Sequence, residues 1–268
     1  MARYTRLLVG LLNLDIEYRA YVGGGDIDAA DNGAIIRKVD ARDFCSQLRK
    51  EGCVGGAISK DIKGLVIAEL DEVNPLAATI GAVNTVLVKS GGRLCGYNTD
   101  AEGFRKAVEG AVFRLGVKRA TVYGYGGVTA VAVAVLMSLG VKVAIVGRRM
   151  EAAAAKAKEL GCEVWTKEWR GELFVNAAPV TDQPLSGAAN FLPALAGARV
   201  AFDHEMPGSF LREFCEENEG MEHIEGVAMY WPQMEAQWRL FLGDWMEHTK
   251  FGVDELPRLL REAEEESA

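Results

Sequence analysis

The sequence has no CxxC pair, and its cysteines are few and odd in number: Cys45, Cys53, Cys95, Cys162 and Cys215. That argues against a disulfide framework and a thiolate metal site, and predicts a reducing cytosol, so the expected localisation is cytoplasmic. Histidine is scarcer still. His204, His223 and His248 share no ligand spacing, so no metal is expected. A basic excess is also missing: the net charge is −8 over 268 residues. This argues against nucleic acid or an anionic membrane as partner, and an anionic ligand would need a local basic patch. No stretch is long and apolar enough to span a bilayer. The short run Leu7–Leu12 behind Arg3 and Arg6 is followed at once by Asp15 and Glu17, unlike a secretory signal. Internal repeats and low-complexity linkers are absent as well.

What remains is an ordinary globular composition with room for two modest domains. The β-branched run Ala82–Val88, the turn Ser90-Gly91-Gly92 and the return Leu94–Tyr97 predict a hairpin. Asn98-Thr99-Asp100 opens a helix, with Thr99 read as N-cap and Glu102 completing a capping box. Asn84 and Asp100 therefore stand at element ends. Upstream, helical spacing covers Val39–Gly52, a strand covers Cys53–Ser59, and a second helical pattern covers Lys60–Leu70.

Downstream, Arg119–Tyr123 reads as a strand, Gly124-Tyr125-Gly126-Gly127 as a turn, Val128–Leu139 as an apolar helix and Val141–Val146 as a second strand. This βαβ pattern with glycines at the strand-to-helix junction suits a pyrophosphate. The backbone must turn tightly and approach the anion, which the helix N-terminus stabilises. Gly124, Gly126, Gly127 and Val128 are the expected cofactor contacts there. An NAD site ends its second strand on an acid, but here Gly147-Arg148-Arg149 follows. Two guanidiniums suit a 2′-phosphate, so NADP is the expected cofactor, with Arg148 and Arg149 supplying the local basic patch.

The pair Gly81-Ala82-Val83-Asn84-Thr85 and Gly96-Tyr97-Asn98-Thr99-Asp100 resembles the shikimate dehydrogenase family. Three further segments are similar to it: Ala57–Lys63 in place of the family's Asn-Val-Thr-Ile-Pro-His-Lys, Asn176-Ala177-Ala178-Pro179 in place of Asn-Ala-Thr-Pro, and Gly226–Gln233 in place of Gly-x-x-Met-Leu-x-x-Gln. The resemblance implies Lys63 and Asp100 as catalytic residues. It implies Ser59, Asn84 and Gln233 as substrate contacts, and Asn176 and Gly226 beside the cofactor. The family's Ser-x-Ser carboxylate clamp has no counterpart, since no serine precedes Ser46, and Met206 stands where a tyrosine is usual. The chain is expected to begin after that clamp, or to hold the carboxylate with another group such as Thr5 or Arg6, or to take a different substrate.

The implied fold is α/β in two domains. Residues 1–100 plus 227–268 form an α/β substrate domain to which the C-terminal helices return. Residues 101–226 form a Rossmann-like NADP-binding domain. The implied activity is NADP-dependent, reversible reduction of 3-dehydroshikimate to shikimate, with a hydroxylated ring acid as ligand and a monomer or homodimer as the working form. Two alternatives stay open: a non-catalytic cofactor-binding relative, and a dehydrogenase for quinate or another ring acid.

Overall fold

Among the described residues two β-sheets organise the fold, one mixed and four-stranded, the other parallel and six-stranded. The computed structural model describes residues 40–50, 53–58, 62–178, 190–204, 210–218, 220–243, 255, 258–260 and 262. Thr5, Arg6, Ser59, Pro179 and Met206 lie outside these residues. The chain divides into two compact units. One comprises Met1–Ala78, Ala82–Asn98 and Met234–Ala268, and the other Thr79–Gly81 and Thr99–Gln233.

In the first unit, helix α1 (Ala41–Lys50) starts because Asp40 caps it: its Oδ1 accepts from the amides of Arg42 at 2.8 Å and Asp43 at 3.2 Å. Ala41, Phe44, Cys45 and Leu48 form its buried face, the i, i+3, i+4, i+7 pattern of an amphipathic helix. Strands β1 (Gly55–Ala57), β2 (Glu72–Val73), β3 (Thr85–Lys89) and β4 (Arg93–Tyr97) make the sheet in the order β1-β3-β4-β2. Strands β3 and β4 are the expected hairpin, closed through Gly91 and Gly92, both at φ +75°. Helix α2 (Pro75–Ile80) precedes Gly81, whose left-handed φ of +72° ends it.

The continuous helix expected over Lys60–Leu70 is not what forms. Its described part is a turn followed by a 3-10 stretch, Leu65–Glu69. Leu65, Val66 and Ile67 are adjacent rather than a helical turn apart, so only Val66 is buried while Leu65 is exposed.

The second unit contains α3 (Thr99–Leu115), β5 (Arg119–Tyr123), α4 (Gly127–Ser138), β6 (Lys142–Val146), α5 (Met150–Leu160), β7 (Glu163–Val164) and β8 (Leu173–Asn176). Then come α6 (Phe191–Leu195), β9 (Val200–Asp203), α7 (Phe210–Glu217) and β10 (Glu222–Glu225). The strand order β10-β9-β8-β5-β6-β7, all pairs parallel, is the 3-2-1-4-5-6 order of a doubly wound sheet when β5 is counted first. Residues of β5, β6, β8 and β9 are buried on both faces, as a sheet covered on both sides requires. Tyr123, Phe174 and Ala201 point to the face covered by Phe191 of α6 and Leu211 of α7. Phe202 points the other way and meets Phe104 of α3 edge-on, centroids 5.0 Å apart. The order reverses between β5 and β8, which leaves a crevice at their carboxyl ends.

Helix α8 (Val227–Leu242) follows, and the division between the units falls within it. Pro232 lies inside this helix rather than in its first turn, because the helix already starts at Val227. Its ring removes the amide that would bond the Ala228 carbonyl.

One glycine fixes how α3 and α8 meet. A Cβ on Gly103 would lie 2.4 Å from the Met229 carbonyl oxygen and 2.8 Å from Gln233 Cβ. Gly110, on the same helix, faces open space. The two substitutions to alanine should therefore have opposite signs. Gly110→Ala gains about 0.5–1 kcal/mol of helix propensity. Gly103→Ala gains the same but loses about 1–3 kcal/mol to overpacking against a backbone atom that cannot swing away, for a net loss. Denaturant unfolding of both variants checks this. Equal midpoints would show that α8 does not rest on Gly103.

Candidate functional site

At the carboxyl end of β5 the chain turns through Gly124 at φ +127°, where a Cβ would sit 3.0 Å from the Ala177 carbonyl oxygen. Only glycine makes this turn without strain. Gly126 and Gly127 follow, both exposed, and a Cβ on either would meet nothing within 4 Å. Gly126 is the N-cap of α4 and no side chain caps that helix. The first amides of α4 thus have no side-chain cap, an arrangement suited to an anion. Val128 stands in the first turn, half-buried. Thr129 takes the position expected for a third small residue. It is fully buried and its Oγ1 has no partner.

The neighbouring strand β6 ends at Gly147-Arg148-Arg149, and both arginines are exposed. Arg149 is the N-cap of α5, again without a side-chain cap. Its Nε donates to the Tyr125 hydroxyl at 3.2 Å, and its guanidinium carbon lies 5.4 Å from the Tyr125 ring centroid. That hydrogen bond pushes the Arg149 pKa up.

Asn176 ends β8 fully buried. Its Nδ2 donates to Asp203 Oδ1 at 2.9 Å, and its Oδ1 accepts from the Ala178 amide at 3.2 Å. Both ends of the amide are engaged in tying β8 to β9 and in shaping the segment beyond the strand. Gly226 is buried at the start of α8, and its carbonyl accepts from the Met229 amide at 3.0 Å and the Tyr230 amide at 3.1 Å.

Asp100 is half-buried in the first turn of α3, which begins at Thr99, so Asn98 rather than Thr99 precedes the helix. Asp100 and Gly103 share a helix face. The close approach at Gly103 brings Gln233 against that face, so Asp100 and Gln233 belong to one neighbourhood in the second unit.

Lys63 and Asn84 belong to the first unit. The Lys63 carbonyl accepts from the Val83 amide at 2.7 Å, and the Asn84 carbonyl accepts from the Ile58 amide at 2.8 Å. These two bonds bracket the segment carrying Lys63 against the start of the hairpin. Asn84 is almost fully buried and its amide donates to the Tyr97 carbonyl at 3.0 Å. Its Oδ1 accepts from the Thr85 hydroxyl at 2.8 Å, and Thr85 in turn accepts from Gln237 Nε2 at 2.9 Å. All three side chains are buried. The sequence reading did not single out Gln237 or Thr85. The signal was present, because Gln237 follows Gln233 by one helical turn and so continues its face.

Among the described residues no group of His, Cys, Asp and Glu could hold a metal ion, and no helix is long and apolar enough to cross a membrane. Burial pushes the thiols of Cys45, Cys162 and Cys215 up to about 11, which leaves them protonated and poorly nucleophilic near neutral pH.

No protein-family model matches the sequence. Among curated proteins it is similar to shikimate dehydrogenase (NADP(+)) of Brucella abortus strain S19, 32% identical over 145 residues, 53% of this chain and 50% of that protein. It is also similar to shikimate dehydrogenase (NADP(+)) of Symbiobacterium thermophilum, 30% identical over 217 residues, 73% of each chain. In the first of these comparisons the match spans about half the length of the curated relative. Among solved structures it is similar to shikimate 5-dehydrogenase of Thermus thermophilus in complex with NADP(H) and shikimate. That likeness has a TM-score of 0.73 and 26% identity, covering 98% of this chain and 94% of that one.

Proposed function

This chain belongs to the shikimate dehydrogenase family, and on that premise we propose that it catalyses the reversible NADP-dependent oxidation of shikimate to 3-dehydroshikimate in the cytosol. The observation that carries the cofactor half is the uncapped glycine turn of α4 beside Arg148 and Arg149. The bare space over Gly126 and Gly127 fits a pyrophosphate, and the arginine pair fits a 2′-phosphate. Bound NADP supplies the acceptor for a hydride. The chain's own residues do the rest. Gly124, Gly126, Gly127 and Val128 hold the pyrophosphate, Arg148 and Arg149 the 2′-phosphate, and Asn176 and Gly226 set the backbone at the strand ends near the reacting ring.

For the substrate half, residues 1–100 plus 227–268 act as the substrate domain and 101–226 as the cofactor domain. When the hydrogen on C3 of shikimate leaves as hydride, the proton of the C3 hydroxyl must go to a base. Lys63 Nζ takes it, and in the reverse direction returns it to the oxygen as the carbonyl is reduced. Asp100 orients a ring hydroxyl. Ser59, Asn84 and Gln233 bind the remaining hydroxyls.

Gln237 acts one step behind Asn84 by fixing the Thr85 hydroxyl. Gln237→Met removes the donor at nearly constant volume. The net worth of such a bond, about 1–1.5 kcal/mol, predicts a rise in shikimate KM of about five- to tenfold with the NADP KM unchanged. Steady-state kinetics with each reactant varied in turn checks this, and equal rises in both constants would count against it.

The reading as a whole is tested by initial rates of nicotinamide reduction with shikimate or quinate against NADP or NAD. The shikimate–NADP pair is expected to be fastest. Faster turnover of quinate would reassign the substrate. No turnover with either acid, while NADPH still binds, would leave a non-catalytic cofactor-binding relative.

A further inference from the structure

Tyr125 sits in the glycine turn at the end of β5, and it reaches across to the end of β6. Strand register sets Tyr123 opposite Val146, so Tyr125 and Gly147 leave adjacent strands side by side. The Tyr125 ring lies over Gly147 so closely that a Cβ there would be 2.9 Å from two ring carbons. Beyond Gly147, Arg149 places its guanidinium over the same ring and its Nε on the Tyr125 hydroxyl. Arg149 also caps α5, an 11-residue helix whose N-terminus no side chain closes. Three features therefore meet: a bare glycine that admits the ring, a ring that carries the guanidinium, and an open helix N-terminus behind it.

We propose that Tyr125 is a specificity-determining residue that holds Arg149 at the open N-terminus of α5 as a preformed receptor for a ribose 2′-phosphate. The proposal rests on the reading of this domain as an NADP site. Arg149 is exposed, and an exposed arginine has many rotamers to lose when it binds. Tyr125 removes that loss in advance by stacking and by occupying Nε. The two terminal nitrogens of the guanidinium fork make no hydrogen bond among the described residues, and they suit phosphate oxygens. The helix amides add favourable field to the same anion. A nucleotide without the 2′-phosphate gains none of this, so Tyr125 should act on discrimination rather than on nucleotide binding in general.

The test is calorimetric titration of the whole chain with 2′,5′-ADP and with 5′-ADP. Wild type is expected to prefer 2′,5′-ADP. Tyr125→Ala is expected to reduce that preference by about five- to tenfold, and Tyr125→Phe, which keeps the ring and loses the hydroxyl, by less. Affinity for 5′-ADP should stay within about twofold. In an Arg149→Gln background, Tyr125→Ala should change the preference no further, a coupling that a merely structural role would not produce. A preference unchanged by Tyr125→Ala, or lost equally with and without Arg149, would overturn the proposal while leaving the NADP reading intact. A wild-type chain with no preference for 2′,5′-ADP would overturn the NADP reading itself, and the clamp with it.

Discussion

Lys63→Ala is expected to lower kcat for shikimate oxidation by about 10²–10⁴-fold, the usual contribution of a positioned proton carrier. The loss should fall on kcat and kcat/KM together, because proton transfer occurs only on the way to the transition state. NADP binding should be unaffected, since the glycine turn and the two arginines lie in the other compact unit. Lys63→Arg should not restore activity. Its charge is retained, but a guanidinium does not release its proton near neutral pH. The segment around Lys63 is held by the bond from the Val83 amide to the Lys63 carbonyl, a backbone contact that both variants keep. Thermal unfolding should therefore move little. A Lys63→Ala enzyme within about threefold of wild type would remove Lys63 from the chemistry, whatever else it does.

The second large effect concerns the cofactor. Arg148→Gln combined with Arg149→Gln should lower kcat/KM for NADP by about 10²–10⁴-fold, since each charged hydrogen-bonded contact to phosphate is worth about 1.5–3 kcal/mol. The value for NAD should change by less than about threefold, because NAD has no 2′-phosphate to lose. The effect should also shrink as salt rises, because both arginines are exposed and screened. Measuring the NADP/NAD ratio in wild type and variant at two ionic strengths checks all three expectations. An equal fall for both cofactors would mean that the arginines serve the fold or the pyrophosphate.

Much of the cofactor unit could be read from sequence because its signals are local. The run Arg119–Tyr123 is a strand over the expected residues. Buried parallel strands are short apolar runs ended by glycine or polar residues, and those marks need no tertiary information. The glycine turn before α4 and the arginine pair after β6 were legible for the same reason. The elements that escaped are short. Glu72–Val73 is held by its pairing with β4 rather than by its own periodicity, and Pro75–Ile80 is too short to show a helical period. Lys60–Leu70 contained enough apolar residues for a helix, but their crowding at Leu65–Ile67 left only a 3-10 stretch.

The candidate site divides along the same line. Lys63, Asn84, Asp100 and Gln233 could be named because the family resemblance carries them. Their supports could not. The bond from Gln237 to Thr85 joins residues 152 positions apart. The packing of α8 on Gly103 and the hold of Tyr125 on Arg149 are likewise contacts between elements that no local pattern encodes.

The measurement that tests the account most directly uses shikimate carrying deuterium on C3, incubated with the wild-type chain and NADP, with the reduced nicotinamide weighed by mass spectrometry. The deuterium is expected to appear in the NADPH, with 3-dehydroshikimate formed in equal amount. Reduced nicotinamide without the label, or labelled shikimate recovered intact while NADPH still binds, would contradict it.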